Sequence, residues 1–266
     1  MKDIDFSKVY SVFKLELFEK CKKQYYFNYL DPEIAPVKKQ FVKPRDYKTR
    51  GSAVHGAITL YYYLPKEKRT FKNLKKCLEY AWFSEKDIYK NPPLGELGGF
   101  RDIRHERNVY RECLQMLDNF LKLEKKFPKL FYVPTKNIRE SFPDYEEMIK
   151  PISNEVSISG KFDRVDELDN GNLMVIDFKT GKGENGFFQL EFYKLLAELN
   201  FKKKVDKASY YNLKNKKIKT FDVSEVSIEG IKENILNRIN NIKKEKYFKP
   251  QKSRLCSHCD FQEICC

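Results

Sequence analysis

Residues 8–30, KVYSVFKLELFEKCKKQYYFNYL, set apolar and aromatic side chains at helical spacing, and the pattern predicts one aromatic-rich amphipathic helix. An irregular stretch with Pro32, Pro36 and Pro44 follows. Helical periodicity then dominates at about 52–64, 70–90 and 101–127, with Thr70 placed to cap the second of these. From about residue 136 the period shortens to two. Strands are expected at 136–142, 153–168 and 172–179, then a helix near 186–200, strands at 205–213 and 217–223, and a basic helix at 225–246. Strands joined by a crossover helix predict an α/β sheet covered by helices, with 172–179 as a central strand. The 266 residues are expected to form one domain. It reads as an N-terminal segment (1–50), a helical block (52–130), a sheet core (136–223) and a C-terminal helix with a cysteine cluster (225–266).

The central strand contains VIDFKTG, residues 175–181. Residues two apart on a strand share a face, so Asp177 and Lys179 are aimed together while Ile176 and Phe178 point the other way. The preceding strand holds GKFDRVDEL, and Asp169-Asn170-Gly171 joins the two. A three-residue loop with Gly171 left-handed sets Asp163 opposite Asp177, with both carboxylates on one face. A two-residue Asn-Gly turn would put them on opposite faces. Asp166, an odd number of residues from Asp163, is expected to face away. Two carboxylates about 4 Å apart repel by about 4 kcal/mol at an effective dielectric of 20, so the pair needs a cation or a shared proton. Oxygen ligands favour Mg²⁺ or Mn²⁺, and an ion there beside a lysine suits phosphodiester hydrolysis. The same Asp-x-Lys spacing also serves as an ordinary ion pair. Two further groups bear on the choice: Gln189 and Tyr193 share a helical face just downstream, and His55 lies near a helix start.

Composition adds a partner class. The chain carries 52 Lys and Arg against 38 Asp and Glu, a net charge of +14, with 15% aromatic residues. That balance suits a polyanion: nucleic acid first, an anionic membrane surface second. No stretch has the length of a membrane span and the N-terminus lacks a signal peptide's apolar segment, so a cytoplasmic location is expected. Lysines and aromatics mix in KCKKQYYFNYL, FKKKVDKASYYNLKNKKIK and NNIKKEKYFKPQK, a combination suited to single strands. No G-x-x-x-x-G-K-[ST] phosphate loop is present, so helicase activity would have to come from a partner.

Seven cysteines in a chain expected to be cytosolic argue against a disulfide framework. Cys77 and Cys113 lie in helical patterns and read as buried apolar residues, whereas Cys256, Cys259, Cys265 and Cys266 crowd the C-terminus. Three close thiolates want a fourth ligand. Zinc and an iron-sulfur cluster both occupy such sites, and His258 or Cys266 is a local candidate for completing a zinc site.

Taken in order, Gly51-x-x-x-His55, Gly160-x-x-Asp163-Arg164, Asp177-x-Lys179-Thr180-Gly181 and Gln189-x-x-x-Tyr193 resemble the RecB-like branch of the PD-(D/E)XK nuclease superfamily. The resemblance implies a restriction-endonuclease-like core with a mixed central sheet flanked by helices and a helical insertion; the block 65–150 carries no family motif and reads as a cap or a DNA-guiding insertion. It implies His55, Asp163, Asp177 and the Phe178 carbonyl as Mg²⁺ or Mn²⁺ ligands, Lys179 as the catalytic lysine, and Gln189 and Tyr193 as positioning residues. The cysteines are similar to those of an iron-sulfur subgroup that includes the CRISPR-associated adaptation nuclease and AddB-type subunits. This implies a 4Fe-4S cluster on Cys21, Cys256, Cys259 and Cys265, with Cys266 spare. It also implies single-stranded DNA as substrate, exonuclease action, and CRISPR-adaptation, helicase or recombination proteins as partners. Phe162 stands where the superfamily's name has proline. A non-catalytic or zinc-stabilised nucleic-acid-binding module on the same fold is the alternative.

Overall fold

The structure is a computed structural model that describes residues 5–83, 94–124, 129–137, 142–144, 148–181 and 186–265. In chain order its elements are β1 (Val9–Tyr10), α1 (Val12–Lys20), α2 (Lys22–Tyr29), α3 (Asp46–Tyr62), α4 (Phe71–Phe83), α5 (Ile103–Glu124) and β2 (Lys129–Tyr132). There follow β3 (Thr135–Asn137), β4 (Phe142–Asp144), β5 (Met148–Pro151), β6 (Ser157–Gly160), β7 (Arg164–Glu167) and β8 (Leu173–Lys179). The chain ends with α6 (Phe187–Phe201), β9 (Val205–Asn212), β10 (Lys217–Asp222), α7 (Ile228–Lys244) and α8 (Gln262–Cys265). These form mixed sheets flanked by helices, the α/β class expected. The described residues divide into two compact units.

The first unit comprises described residues within 1–43, 147–160 and 226–266. Its sheet runs β1-β6-β5, with β1 parallel and β5 antiparallel to β6. The single helix predicted over 8–30 is in fact two. Cys21 adopts an extended conformation (φ −160°, ψ 105°) between α1 and α2, and its carbonyl accepts the first bond of α2 from the Tyr25 amide at 3.0 Å. The break turns α2 so that Tyr25 meets Phe18 edge-on, ring centroids 5.4 Å apart. Helical periodicity resumes after the one extended residue, so the sequence pattern does not register the joint.

The second unit comprises described residues within 44–146 and 161–225. Its five-stranded sheet has the order β10-β9-β8-β7-β2. β8 and β9 are parallel, with α6 as the crossover, and the remaining pairs are antiparallel. Met174, Ile176, Phe178, Tyr211 and Leu213 join one buried cluster with residues of α3, α4 and α5. Thr70 caps α4, accepting from the Asn73 amide at 3.3 Å. The expected helical calls over 84–90 and 125–127, and the strand call over 138–141, fall outside the described residues.

The run read as one strand over 153–168 is interrupted twice. A turn precedes β6, and Lys161-Phe162-Asp163 separates β6 from β7. The β7–β8 hairpin pairs Arg164 with Ile176 and Glu167 with Leu173. The Leu168 amide donates to the Asn172 carbonyl at 2.8 Å, leaving a three-residue loop in which Gly171 has φ +81°. That left-handed position favours glycine, and the odd loop sets the register that brings Asp163 alongside Asp177.

Candidate active site and cysteine cavity

Asp163 stands just before β7, where the ladder to β8 ends. Its Oδ2 accepts the Phe178 amide at 2.8 Å, so the carboxylate takes over from the missing ladder partner. Its Oδ1 lies 2.7 Å from His55 Nδ1, on α3. Burial opposes protonation of His55, but the Asp163 charge and hydrogen bond, with Asp177 behind them, outweigh it and raise the pKa. Phe178 thus contributes its amide to the site, and its ring lies 6.2 Å from the imidazole.

Asp177 and Lys179 extend from the opposite face of β8 to Ile176 and Phe178. Gln189, in the first turn of α6, bridges them: Nε2 donates to Asp177 Oδ1 at 3.0 Å and Oε1 accepts from Lys179 Nζ at 2.9 Å. Lys179 Nζ is also 2.8 Å from Asp177 Oδ2. Oδ2 is thus a buried acceptor with that ammonium as its ionic neighbour and no other hydrogen-bond partner. Burial pushes Asp177 up to about 6, with Lys179 opposing and Asp163 reinforcing the shift. Burial likewise raises Tyr193 far above the usual phenol range, the Asp177 charge adds to it, and a hydrogen bond with Gln189 opposes it. The Tyr193 ring lies 5.6 Å from Phe162.

The four polar side chains keep partial access to solvent, from 10% for Asp177 to 24% for His55. Among the described residues no three His, Cys, Asp or Glu side chains stand together at metal-binding spacing. The donor chemistry nonetheless suits a hard divalent ion: carboxylate oxygens, an imidazole and the unbonded Asp177 Oδ2.

Two neighbours were not singled out from sequence. Tyr210, on β9 directly opposite Asp177, donates its hydroxyl to the Gly186 carbonyl at 2.8 Å and sets its ring 5.0 Å from Lys179 Nζ. Its place depends on the parallel β8–β9 register, which has no local turn to announce it. Arg164 is the other. It is 1% exposed, and it forks onto Asp166 through Nε to Oδ1 and Nη2 to Oδ2, both at 2.6 Å. Its Nη1 donates to Glu124 Oε2 at 2.6 Å and to the Tyr62 hydroxyl. Burial pushes Asp166 up to about 6, while Tyr62 and both carboxylates hold Arg164 above its ordinary range against its own burial. The bidentate geometry is that of a charged pair at neutral pH. Asp166 is thus committed to Arg164, as its odd separation from Asp163 anticipated.

In the first unit, Cys21, Cys256, Cys259 and Cys265 line a single cavity of about 280 Å³, with Phe27 and Phe261 in its wall. Cys21 sits at the α1–α2 joint, and Cys256 Sγ accepts the Ser253 amide at 3.3 Å. Burial pushes the Cys259 thiol up, and the nearby Cys21 and Cys256 add to it. Phe261 packs on Phe27 and Phe41 at 5.4 and 5.6 Å, which anchors the C-terminal segment beside Cys21. Cys266 lies outside the described residues.

The sequence profile of the PD-(D/E)XK nuclease superfamily matches residues 9–266, nearly the whole chain. The chain belongs to that superfamily. By class it is a nuclease, a hydrolase whose substrate is nucleic acid, and nucleases of this superfamily generally use Mg²⁺ or Mn²⁺. No curated protein matches the chain. Among solved structures it is similar to the crystal structure of SSO0001, with 14% identity and a TM-score of 0.37, over 98% of this chain and 87% of that one. Among the described residues no helix is long and apolar enough to cross a membrane.

Proposed function

We propose that the chain is a Mg²⁺- or Mn²⁺-dependent DNA exonuclease acting on single strands, with Asp163, Asp177 and Lys179 as catalytic residues and a structural 4Fe-4S cluster on Cys21, Cys256, Cys259 and Cys265. The observation that carries the reading is the Gln189 bridge, which fixes a carboxylate and an ammonium side by side while Asp177 Oδ2 keeps an unused lone pair. An exposed ion pair would have no need of a part-buried amide to orient both partners.

Asp163 and Asp177 would hold the ion, with His55 and the Phe178 carbonyl as further ligands. Each Asp163 oxygen accepts one hydrogen bond and retains a second lone pair. If His55 Nδ1–H donates to Asp163, its Nε2 lone pair is the one left for a metal. When bound, the ion polarises the phosphodiester and lowers the pKa of its water. Lys179 is held by Gln189 and Asp177 where it can orient a water or steady charge developing on phosphorus. Tyr210 presents a flat ring under that ammonium and limits where it can go. Gln189 and Tyr193 position the pair.

The cluster assignment rests on the four thiols sharing one cavity. Zinc is the second reading there, since four cysteines suit it equally. Brown colour with visible absorbance on anaerobic purification supports the cluster, and stoichiometric zinc supports the alternative. The expected protein partners are CRISPR-adaptation, helicase or recombination proteins, and the expected location is cytoplasmic.

The nuclease test is digestion of end-labelled single- and double-stranded DNA with Mn²⁺, comparing the parent with Lys179→Ala. We expect stepwise shortening of single strands and a loss of at least ~10²-fold in the variant. Equal cutting by the two proteins would remove Lys179 from the chemistry.

A further inference from the structure

Three strands of the second unit place a row of side chains beside the Asp177–Lys179 pair. In the β8–β9 register Asp177 lies opposite Tyr210, and in the β9–β10 register Tyr210 lies opposite Lys219. Ladder partners share a face, so Asp177, Tyr210 and Lys219 form one line across the sheet. The flanking lines on that face are Lys179, Asn212 and Lys217, and Val175, Ala208 and Phe221. The line ends on β10, an edge strand, two strand spacings or about 10 Å from Asp177.

The end of the line is basic and aromatic. Lys217 and Lys219 are exposed, and neither has an ion-pair partner among the described carboxylates. Lys219 Nζ stands 4.9 Å from the Phe221 ring, and the Phe187 ring packs 5.2 Å from Phe221. Phe187 opens α6, two residues before Gln189, yet 37% of it remains exposed. A large apolar ring left open next to an unpaired ammonium, and joined to the catalytic pair through Tyr210, is complementary to one class of ligand. A single nucleic-acid strand offers a phosphate for the ammonium and an unstacked base for the ring.

We infer that β10 and the start of α6 form a subsite for the substrate strand, with Lys219 on a phosphate neighbouring the scissile one and Phe187, backed by Phe221, stacking on a base. The inference rests on the nuclease reading above and names the path by which the strand reaches that site. It also supplies a basis for selecting single strands, because a base paired within a duplex cannot stack on Phe187.

The test separates the two claims. Binding of fluorescein-labelled oligothymidine, intact or carrying abasic sites, is measured by anisotropy in the non-cleaving Asp177→Asn background over a range of salt. Adding Lys219→Ala is expected to weaken binding and to lower the slope of log K against log salt by about 0.7. Lys207→Ala is the charge-matched control, on the opposite face of β9 and paired across to Asp222, and is expected to leave the slope near that of the parent. Adding Phe187→Ala is expected to cost about 10-fold for the intact oligonucleotide and to abolish its advantage over the abasic one, with Phe187→Trp restoring both. The subsite is overturned if neither substitution changes binding, if intact and abasic oligonucleotides bind alike with Phe187 present, or if Lys207→Ala costs as much as Lys219→Ala. The last result would make the edge lysines mere guards against strand pairing. Cleavage of the same oligonucleotide by the parent with Mn²⁺ is scored separately. Absence of cleavage with the binding differences intact sinks the nuclease reading and leaves the subsite, whereas cleavage without those differences does the reverse.

Discussion

Two carboxylate–cation pairs with the same spacing occupy adjacent strands of one sheet and do opposite things. Arg164-x-Asp166 on β7 is sealed, with the guanidinium fork bonded to Asp166, Glu124 and Tyr62 and side-chain exposures of 1% and 0%. Asp177-x-Lys179 on β8 is less closed, with exposures of 10% and 21% and one carboxylate oxygen that has no partner beyond the Lys179 ammonium. Spacing alone does not distinguish them. The difference lies in which pair has been given enough donors to satisfy its acceptors. A buried pair closed on itself holds helix α5 to the sheet through Glu124, whereas the open pair is where our proposal puts a further cation.

The contrast is broken most severely at Arg164. Arg164→Ala leaves the buried Asp166 and the partly exposed Glu124 without their cation, and we expect a loss of about 3–5 kcal/mol of stability by urea unfolding. On the open side, Asp177→Ala and Lys179→Ala are expected to lower cleavage by at least ~10²-fold, about 2.7 kcal/mol in barrier.

Asp177→Asn sharpens the comparison further, because this pair is held at a cost to the fold. The folded-state pKa of Asp177, about 6, lies above the ordinary aspartate value of 3.8, so the folded state binds the extra proton between those values. The resulting penalty is absent below about pH 3.8 and fully developed above about pH 6. Removing the charge should therefore stabilise the metal-free protein by roughly 1–3 kcal/mol at pH 7.5, and the gain should vanish towards pH 4. Thermal unfolding with EDTA across that range checks both the sign and the window. Cleavage runs the other way: the ionised form is needed to hold the ion, so activity should fall as pH drops through about 6, and more Mg²⁺ should move that limb to lower pH. The smallest effect is expected for Gln189→Ala, on the order of 10-fold in cleavage, since Asp177 and Lys179 remain in contact but lose their common tether.

Much of this second unit was legible because its signals are local. Gly171 in an odd loop fixes the β7–β8 register, and the alternation of Ile176 and Phe178 with Asp177 and Lys179 fixes the faces. The break at 161–163 was not legible, because Phe162 continues the apolar pattern, and it takes the fold to show that Asp163 substitutes for a ladder acceptor. Tyr210 and Lys219 depend on a parallel crossover through α6, and nothing within a few residues of either reports that register. Arg164 was visible only as a letter in a motif, since its partners Tyr62 and Glu124 are 102 and 40 residues away. Cys21 shows the same limit in the first unit: its place beside Cys256, Cys259 and Cys265 comes from packing of Phe27 on Phe261, not from spacing.

The central claim is that Asp163 and Asp177 share one divalent ion next to Lys179. Calorimetric titration of Mn²⁺ into the parent, Asp163→Asn, Asp177→Asn and Lys179→Ala at pH 7.5 addresses it without recourse to any substrate. The expected result is a saturable site in the parent and in Lys179→Ala that is lost in both asparagine variants. Undiminished Mn²⁺ binding by Asp163→Asn and Asp177→Asn would contradict it.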